Sequence, residues 1–171
     1  NAQGGIAGAG IGSGTSGDSN ILIRGNAIIE NAESKTGGAG IGSGQGFYDE
    51  DNDRLFRTVG NVTIEGNAKI ENAKSGYGGS GIGGGLIGIG NVIIRGNVTI
   101  ENAQGGAGAA GIGGGAETEP DTEDTRNKVS IKSTEAGSPN ITATGGGVLN
   151  DEIAGAGFSG LGLGFSGSGF S

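Results

Sequence analysis

The sequence feature that most constrains the fold is a short glycine–isoleucine phrase that occurs four times. Its copies occupy residues 9–12 (AGIG), 39–42 (AGIG), 80–83 (SGIG) and 110–113 (AGIG), so the steps are 30, 41 and 30 residues. Internal periods of this size are typical of stacked repeat architectures rather than of a single irregular core. The chain is therefore predicted to be built from similar units that pack on one another.

The repeating unit is longer than the phrase itself. Residues 20–32, 61–73 and 91–103 align with one another, and a weaker copy is split between 128–132 and 140–145. Apolar and polar residues alternate inside each copy, and Gly-Asn or Asn-Ala pairs end each run. This period of two predicts short strands that bury one face. A sustained apolar stripe of period 3.6, which would indicate an amphipathic helix, does not occur.

These patterns predict a single all-β domain over residues 1–171, a parallel β-solenoid of about four to five coils. Each coil of about 30 residues would hold three short strands, and the winding is expected to be right-handed. Coils stacked about 4.8 Å apart place equivalent residues in columns. The inward columns are predicted to be Ile21/Val62/Val92/Val129, Ile23/Ile64/Ile94/Ile131, Ala27/Ala68/Val98/Ile141, Ile29/Ile70/Ile100/Ala143 and Ile41/Ile82/Ile112.

Asparagine forms three further columns, 20/61/91, 26/67/97 and 31/72/102, each expected at a bend. The glycines that alternate with Ile41, Ile82 and Ile112 are expected to point outward and to leave a flat surface without side chains. The irregular Gly/Phe-rich segment 155–171 is expected to cap the last coil or to pair with another subunit.

The phrase and the strands around it resemble Gly-rich β-helix repeat segments of bacterial secreted and cell-surface proteins. In those segments a GGAGIGGG-like phrase alternates with short G-N-V-T-I-x-N-A strands, and the match is close over residues 1–115 and loose over 128–171. The resemblance implies an extracellular or cell-surface location and an adhesive, structural or carbohydrate-binding role.

Composition excludes several classes of function. The net charge is −8 without a Lys/Arg cluster, which argues against a nucleic-acid partner. No apolar run is long enough for a membrane helix, so membrane insertion is not expected. The chain has no Cys and no His, which removes most transition-metal and nucleophile–base chemistry. We therefore expect a protein that is not an enzyme and has no cofactor, with calcium as the one open exception.

Two insertions interrupt the period, near residues 46–57 and 116–127. Solenoid insertions form loops on one face, often the binding face. The first contains Phe47, Tyr48 and Phe56, whose rings could cover the apolar face of a sugar. The alternative is that these rings merely pin the loop to the flank of the solenoid. The second insertion is expected to be a solvated acidic connection.

Carboxylates alternate in the first insertion at Asp49, Asp51 and Asp53. Calcium takes six to eight oxygen ligands, and such a run can supply several from one turn. The Gly and the final Glu of an EF-hand loop are absent, and Arg54 and Arg57 offer another way to neutralise the carboxylates. The three Asp residues are therefore both a candidate metal site and part of the candidate ligand site with the aromatic residues.

Two outward columns carry charge. Arg24, Glu65 and Arg95 alternate in sign and are predicted to form a cross-strand ladder. Glu30, Glu71 and Glu101 stack like charges, which the nearby lysines 35, 69 and 74 are expected to neutralise.

The function expected from these features is that of a non-catalytic extracellular structural or adhesive module. It would present a rigid surface to a protein partner, a glycan polymer or a neighbouring subunit, with self-association into an oligomer or fibre as one form. The alternative is a carbohydrate-binding module that uses the loop 46–57, with or without calcium. A β-helix enzyme that acts on polysaccharide is the third hypothesis.

Overall fold

The fold is all-β, and its described residues form three parallel sheets and one antiparallel hairpin. The computed structural model describes residues 1–116 and 127–146, together with the backbone of the short strand 161–162. The strands are numbered β1 to β16 in chain order. No helix in the described part of the chain is long and apolar enough to cross a membrane.

Each parallel sheet collects one strand from each successive coil. Sheet A contains β1 (Ala2–Gln3), β4 (Ile28–Ser34), β9 (Lys69–Ser75), β12 (Thr99–Ala107) and β15 (Asn140–Gly146). Sheet B contains β2 (Ile11–Gly12), β5 (Ile41–Gly42), β10 (Ile82–Gly83), β13 (Ile112–Gly113) and β16 (Leu161–Gly162). Sheet C contains β3 (Ser19–Ile23), β8 (Thr58–Gly66), β11 (Gly88–Gly96) and β14 (Lys128–Lys132). The hairpin consists of β6 (Phe47–Asp49) and β7 (Arg54–Phe56).

The chain visits the sheets in the fixed order A, B, C, so it winds as a parallel β-solenoid with three strands per coil. The strand register repeats the sequence period: Ile41 pairs with Ile82 and Ile82 with Ile112. Ile64 and Ile94 are paired and fully buried. The predicted fold class is therefore confirmed, and the aliphatic columns form its core in the inner coils. Ile131, predicted to face inward, pairs with Ile94 but is 40% exposed. The hand of the winding stays a prediction.

The glycine phrase turns inward, which corrects the expectation of a flat outward glycine surface. Residues 37–44, 78–85 and 108–115 are buried throughout. The loop closes on itself, because the N–H of Ala39 donates to the carbonyl of Ser43 at 3.0 Å. A Cβ on Gly40 would meet backbone atoms of Ala32 and Lys74, both in sheet A. A Cβ on Gly60 of sheet C would overlap the carbonyl oxygen of Gly83 in sheet B.

Sheet B is thus an inserted layer between sheets A and C, and glycine is needed because backbone packs directly on backbone. The outer faces of sheets A and C consequently point away from each other. The prediction failed because alternation of Ile and Gly shows which residues differ in size but not whether the second face of a strand meets solvent or another sheet.

Buried hydroxyl groups satisfy the backbone where the inserted loop meets sheet C. Thr58 Oγ1 donates to the carbonyl of Gly44 at 2.7 Å and lies 3.1 Å from Ser43 Oγ. Ser43 Oγ in turn accepts a hydrogen bond of 3.0 Å from the N–H of Gly85 in the next coil. A buried polar group that lacks a partner is costly, so this network explains why Ser and Thr stand in an otherwise apolar interior.

The asparagine columns are hydrogen-bonded ladders. Asn91 Nδ2 donates to Asn61 Oδ1 at 2.9 Å, and Asn61 Nδ2 donates to Asn20 Oδ1 at 3.0 Å. This column lies within the strands of sheet C, not at a bend, which corrects the prediction. In the column 31/72/102, by contrast, Asn72 lies where inward–outward alternation breaks between Ile70 and Ala73, so a bend is present there.

The fourth coil shifts its register in sheet A. Ile141 pairs with Ile100, and Ala143 pairs with Ala103 across a bulge, so neither lies in the column predicted for it. The alanine column 32/73/103, which the sequence reading omitted, is fully buried. These alanines directly follow the asparagines at the bend in sheet A, and their small side chains fill the core at that point.

The later irregular segments are described only in part. Residues 117–126 of the second insertion lie outside the described residues, as does most of the tail 155–171. Within the tail, Leu161 and Gly162 pair with Ile112 and Gly113 as a further strand of sheet B.

Replacing Gly83 by alanine should strongly destabilise the solenoid. Gly83 has φ of 130°, and a Cβ there would overlap the carbonyl oxygen of Gly113 in the next coil. We expect Gly83→Ala to cost at least about 2 kcal/mol of unfolding free energy, measured by chemical denaturation.

Gly14→Ala is the matched control, because a Cβ at Gly14 meets nothing within 4 Å. That variant should stay within about 0.5 kcal/mol of the native chain. Equal stability of the two variants would contradict the inserted position of the phrase.

Candidate functional site

The first insertion is a β-hairpin in the connection that leads from β5 of sheet B to β8 of sheet C. Its strands pair Phe47 with Phe56, Tyr48 with Leu55 and Asp49 with Arg54. Directly opposed residues share a face, and successive residues alternate between faces. Phe47 and Phe56 therefore share a face, whereas Tyr48 lies on the opposite face beside Leu55.

The aromatic rings of the hairpin contact other side chains of the same hairpin. Phe47 and Phe56 stack with centroids 4.6 Å apart and planes at 10°, and the guanidinium of Arg54 lies 4.7 Å from the centroid of Phe56. Tyr48 donates its hydroxyl hydrogen to Asp53. The Phe56 ring thus contacts both Phe47 and Arg54, while Phe47 and Tyr48 stay 42% and 46% exposed on opposite faces of the hairpin. The three rings do not form one platform.

The carboxylates at the tip of the hairpin organise its turn. Asp49 Oδ1 accepts hydrogen bonds from the backbone N–H groups of Asp51 and Asn52, and Oδ2 accepts one of 2.9 Å from Asn52 Nδ2. The side-chain amide of Asn52 is the main reason that the pKa of Asp49 is lowered from 3.8. A lowered pKa is opposite to what a glycosidase acid needs.

The three predicted metal ligands have different contacts. The oxygens of Asp49 accept hydrogen bonds within the turn, and Asp53 accepts one from Tyr48. Over residues 1–116 and 127–146, no group of three or more Asp, Glu, His or Cys side chains is arranged to hold a metal ion. Calcium binding by Asp49, Asp51 and Asp53 stays a prediction.

A second candidate site, not identified from the sequence, is the outer face of sheet C. Its rows place Asn20 beside Asn61 and Asn91, with Lys128 completing the column. A second column contains Arg24, Glu65, Arg95 and Lys132. Four cations and one carboxylate give this face a charge of +3 in a chain whose net charge is −8. Leu22 and Ile93, 54% and 43% exposed, lie between the columns.

The charge ladder of sheet C is formed in part. Arg95 binds Glu65 through Nε at 2.8 Å and Nη2 at 2.6 Å, so the one carboxylate of the face is already paired. Arg24 makes no hydrogen bond or ion pair with the described residues. Beside this column runs a groove of ≈ 340 Å³. It is lined by Arg24, Gly25, Glu65, Gly66, Arg95, Gly96, Thr134 and Ala136.

The outer face of sheet A carries the opposite charge. Glu30, Glu33, Glu71 and Glu101 outnumber Lys69 and Lys74, which gives this face a charge of −2. Lys69 Nζ bridges Glu71 at 3.0 Å and Glu101 at 2.9 Å, as expected of the lysines near this column. The hydrogen bond to Glu101, followed by that to Glu71, raises the pKa of Lys69 above 10.5.

The cations on sheet C lie close together only because the parallel strands pair in register. The cations of sheet C come from three coils: Arg24 follows β3, Arg95 lies in β11, and Lys128 and Lys132 lie in β14. They are therefore spread over more than 100 residues, and no cluster of all four is visible in the linear sequence. A reading of outward positions column by column over all four coils would have found the excess of cations.

The fold and the surface place the chain in the structural class of parallel β-solenoids. Comparison with protein-family models, with curated proteins and with solved structures found no match. The features of the molecule that bear on its function are therefore the charged outer faces and the hairpin.

Removing the amide of Asn52 should raise the pKa of Asp49 toward 3.8. The Asn52→Ala variant loses the hydrogen bond that is the main cause of the lowered value. NMR titration of the Asp49 carboxyl should show a lower midpoint in the native chain than in the variant. Because the folded pKa is depressed, the turn should lose this stabilisation only as the pH falls below about 3.8. An identical midpoint in the two proteins would contradict the turn geometry.

Proposed function

We propose that this chain is a non-catalytic structural or adhesive module, extracellular or at a cell surface, that presents a rigid face to a partner, a polymer or a neighbouring subunit. The observation that carries the proposal is the outer face of sheet C. It gathers four cations and one carboxylate on a regular sheet in a strongly acidic chain.

The physical argument rests on pre-organisation. The face is attached to a core whose isoleucines are fully buried and whose coils are joined by continuous parallel pairing. Side chains on such a sheet lose little backbone freedom when a partner binds, which lowers the entropic cost of association. Charges of one sign favour a partner surface of the opposite sign and raise the rate of encounter. The partner of this face is therefore a negatively charged surface.

The proposal predicts charge-dependent retention of the dilute protein on beads that carry a carboxylate polymer. The native chain should be retained at low salt and released as the ionic strength rises, because exposed charges are screened. The double variant Arg24→Glu/Lys132→Glu should elute earlier at every salt concentration.

Lys35→Glu/Arg54→Glu is the matched control, because it makes the same change of net charge away from sheet C. Equal loss of retention in both double variants would show that net charge alone governs binding and would contradict the proposal. Release of reducing ends from an acidic polysaccharide would contradict its non-catalytic part.

The second candidate function is carbohydrate binding by the hairpin, favoured by the exposure of Phe47 and Tyr48. An exposed ring beside carboxylates suits the apolar face and the hydroxyls of a sugar. The hypothesis predicts that Tyr48→Ala abolishes binding on a glycan array, while Arg24→Glu leaves it unchanged. If calcium assists, chelation should lower the melting temperature of the native chain but not that of Asp51→Asn.

A further inference from the structure

We propose that the negatively charged partner of sheet C is the outer face of sheet A on a second copy of this chain. This inference rests on the proposed function, because it names the partner of the same face. The two faces belong to one molecule and point away from each other, so each copy offers both.

Charge complementarity is the first argument. The outer face of sheet C has a charge of +3, and that of sheet A has a charge of −2. Each face has some charges that are already paired: Arg95 binds Glu65 on sheet C, and Lys69 bridges Glu71 and Glu101 on sheet A. Arg24 and Lys132 on one face, and Glu30 on the other, make no ion pair with a described residue.

Matching geometry is the second argument. Both faces are built from strands of the same coils, so their charged columns repeat with the same spacing of about 4.8 Å. A column of sheet C laid on a column of sheet A can therefore bring several charges into contact at once. Each face also exposes apolar side chains near its charges: Leu22 and Ile93 on sheet C, and Ile28, 67% exposed, on sheet A.

The size of the faces sets the expected strength. Sheet C has four strands and its longest have nine residues, so its face measures roughly 500 Å². Two such faces bury about 1,000 Å² in total, which is at the lower limit for a specific interface. The contact should therefore be weak and depend on concentration.

The symmetry follows from the two different faces. A contact between face C of one copy and face A of the next is heterologous, and it repeats without closing unless the rotation returns to the start. Association should accordingly produce a series of species that grows with concentration rather than a single dimer.

Sedimentation velocity of the full chain from about 1 μM to 1 mM tests the proposal. At low salt the mean mass should rise with concentration, and about 1 M salt should return the chain to a monomer. Arg24→Glu/Lys132→Glu should weaken association by about tenfold or more, and so should Glu30→Lys/Glu101→Lys.

Mixing provides the decisive measurement. Each double variant alone presents two faces of like charge, whereas the two variants together present complementary pairs. An equimolar mixture of the two face variants should recover association. The Lys35→Glu/Arg54→Glu control, measured alone, should associate at least as well as that mixture. A native chain that stays monomeric at all concentrations, or a mixture that does not recover, would overturn the proposal.

These outcomes are separable from failure of the proposed function. Retention on the carboxylate beads is measured at dilute protein, where the chain is monomeric. Retention without self-association would discard the second copy as partner and keep sheet C as a recognition face. Loss of both would discard the face itself.

Discussion

Parallel backbone pairing between successive coils is the constraint on which the rest of this structure depends. It holds Asn61 beside Asn91 and Ile64 beside Ile94. Because side chains alternate between faces, a slip of one residue would turn the buried isoleucines outward and the charged columns inward. The paired register therefore determines at once what is buried, which amides meet in ladders and which charges share a face. Core and surface are two results of the same pairing.

Glycine makes this arrangement compact, because it permits an inner layer where side chains would not fit. In most proteins the space between two sheets, about 10 Å, is filled by side chains from both inner faces. Here part of that space holds the backbone of sheet B, whose described large side chains are isoleucines 11, 41, 82 and 112. The absent side chains at Gly40 and Gly60 are replaced by carbonyl and amide groups of neighbouring strands. In the part of the chain that the structure describes, the high glycine content is thus a packing requirement.

The sequence was sufficient to predict the coils, their strands and most inward columns, because those follow from period two and a repeat of fixed length. It was not sufficient to place the glycine phrase, since a strand with one small face looks the same whether that face meets water or backbone. It also misplaced Ile141, which pairs with Ile100 rather than with Val98, and Ala143, which pairs with Ala103 beyond a register irregularity. The weak repeat copy in this coil carries no local pattern that marks these shifts. At the hairpin, composition indicated aromatic and acidic residues but not that Phe56 is covered by Phe47 and Arg54. The accessibility of Phe56 depends on contacts within the hairpin, which composition does not reveal.

The outward columns are where such a fold can vary without harm to its core. Positions such as Glu65 and Arg95 contact solvent and one another, so exchanging their charges costs little stability. A chain with net charge −8 gains solubility from general repulsion between copies. Concentrating four of its ten cations on one face works against that repulsion locally while leaving it intact elsewhere. Association would then be favoured in one orientation and opposed in the others, which is how specificity arises when attraction and repulsion are combined.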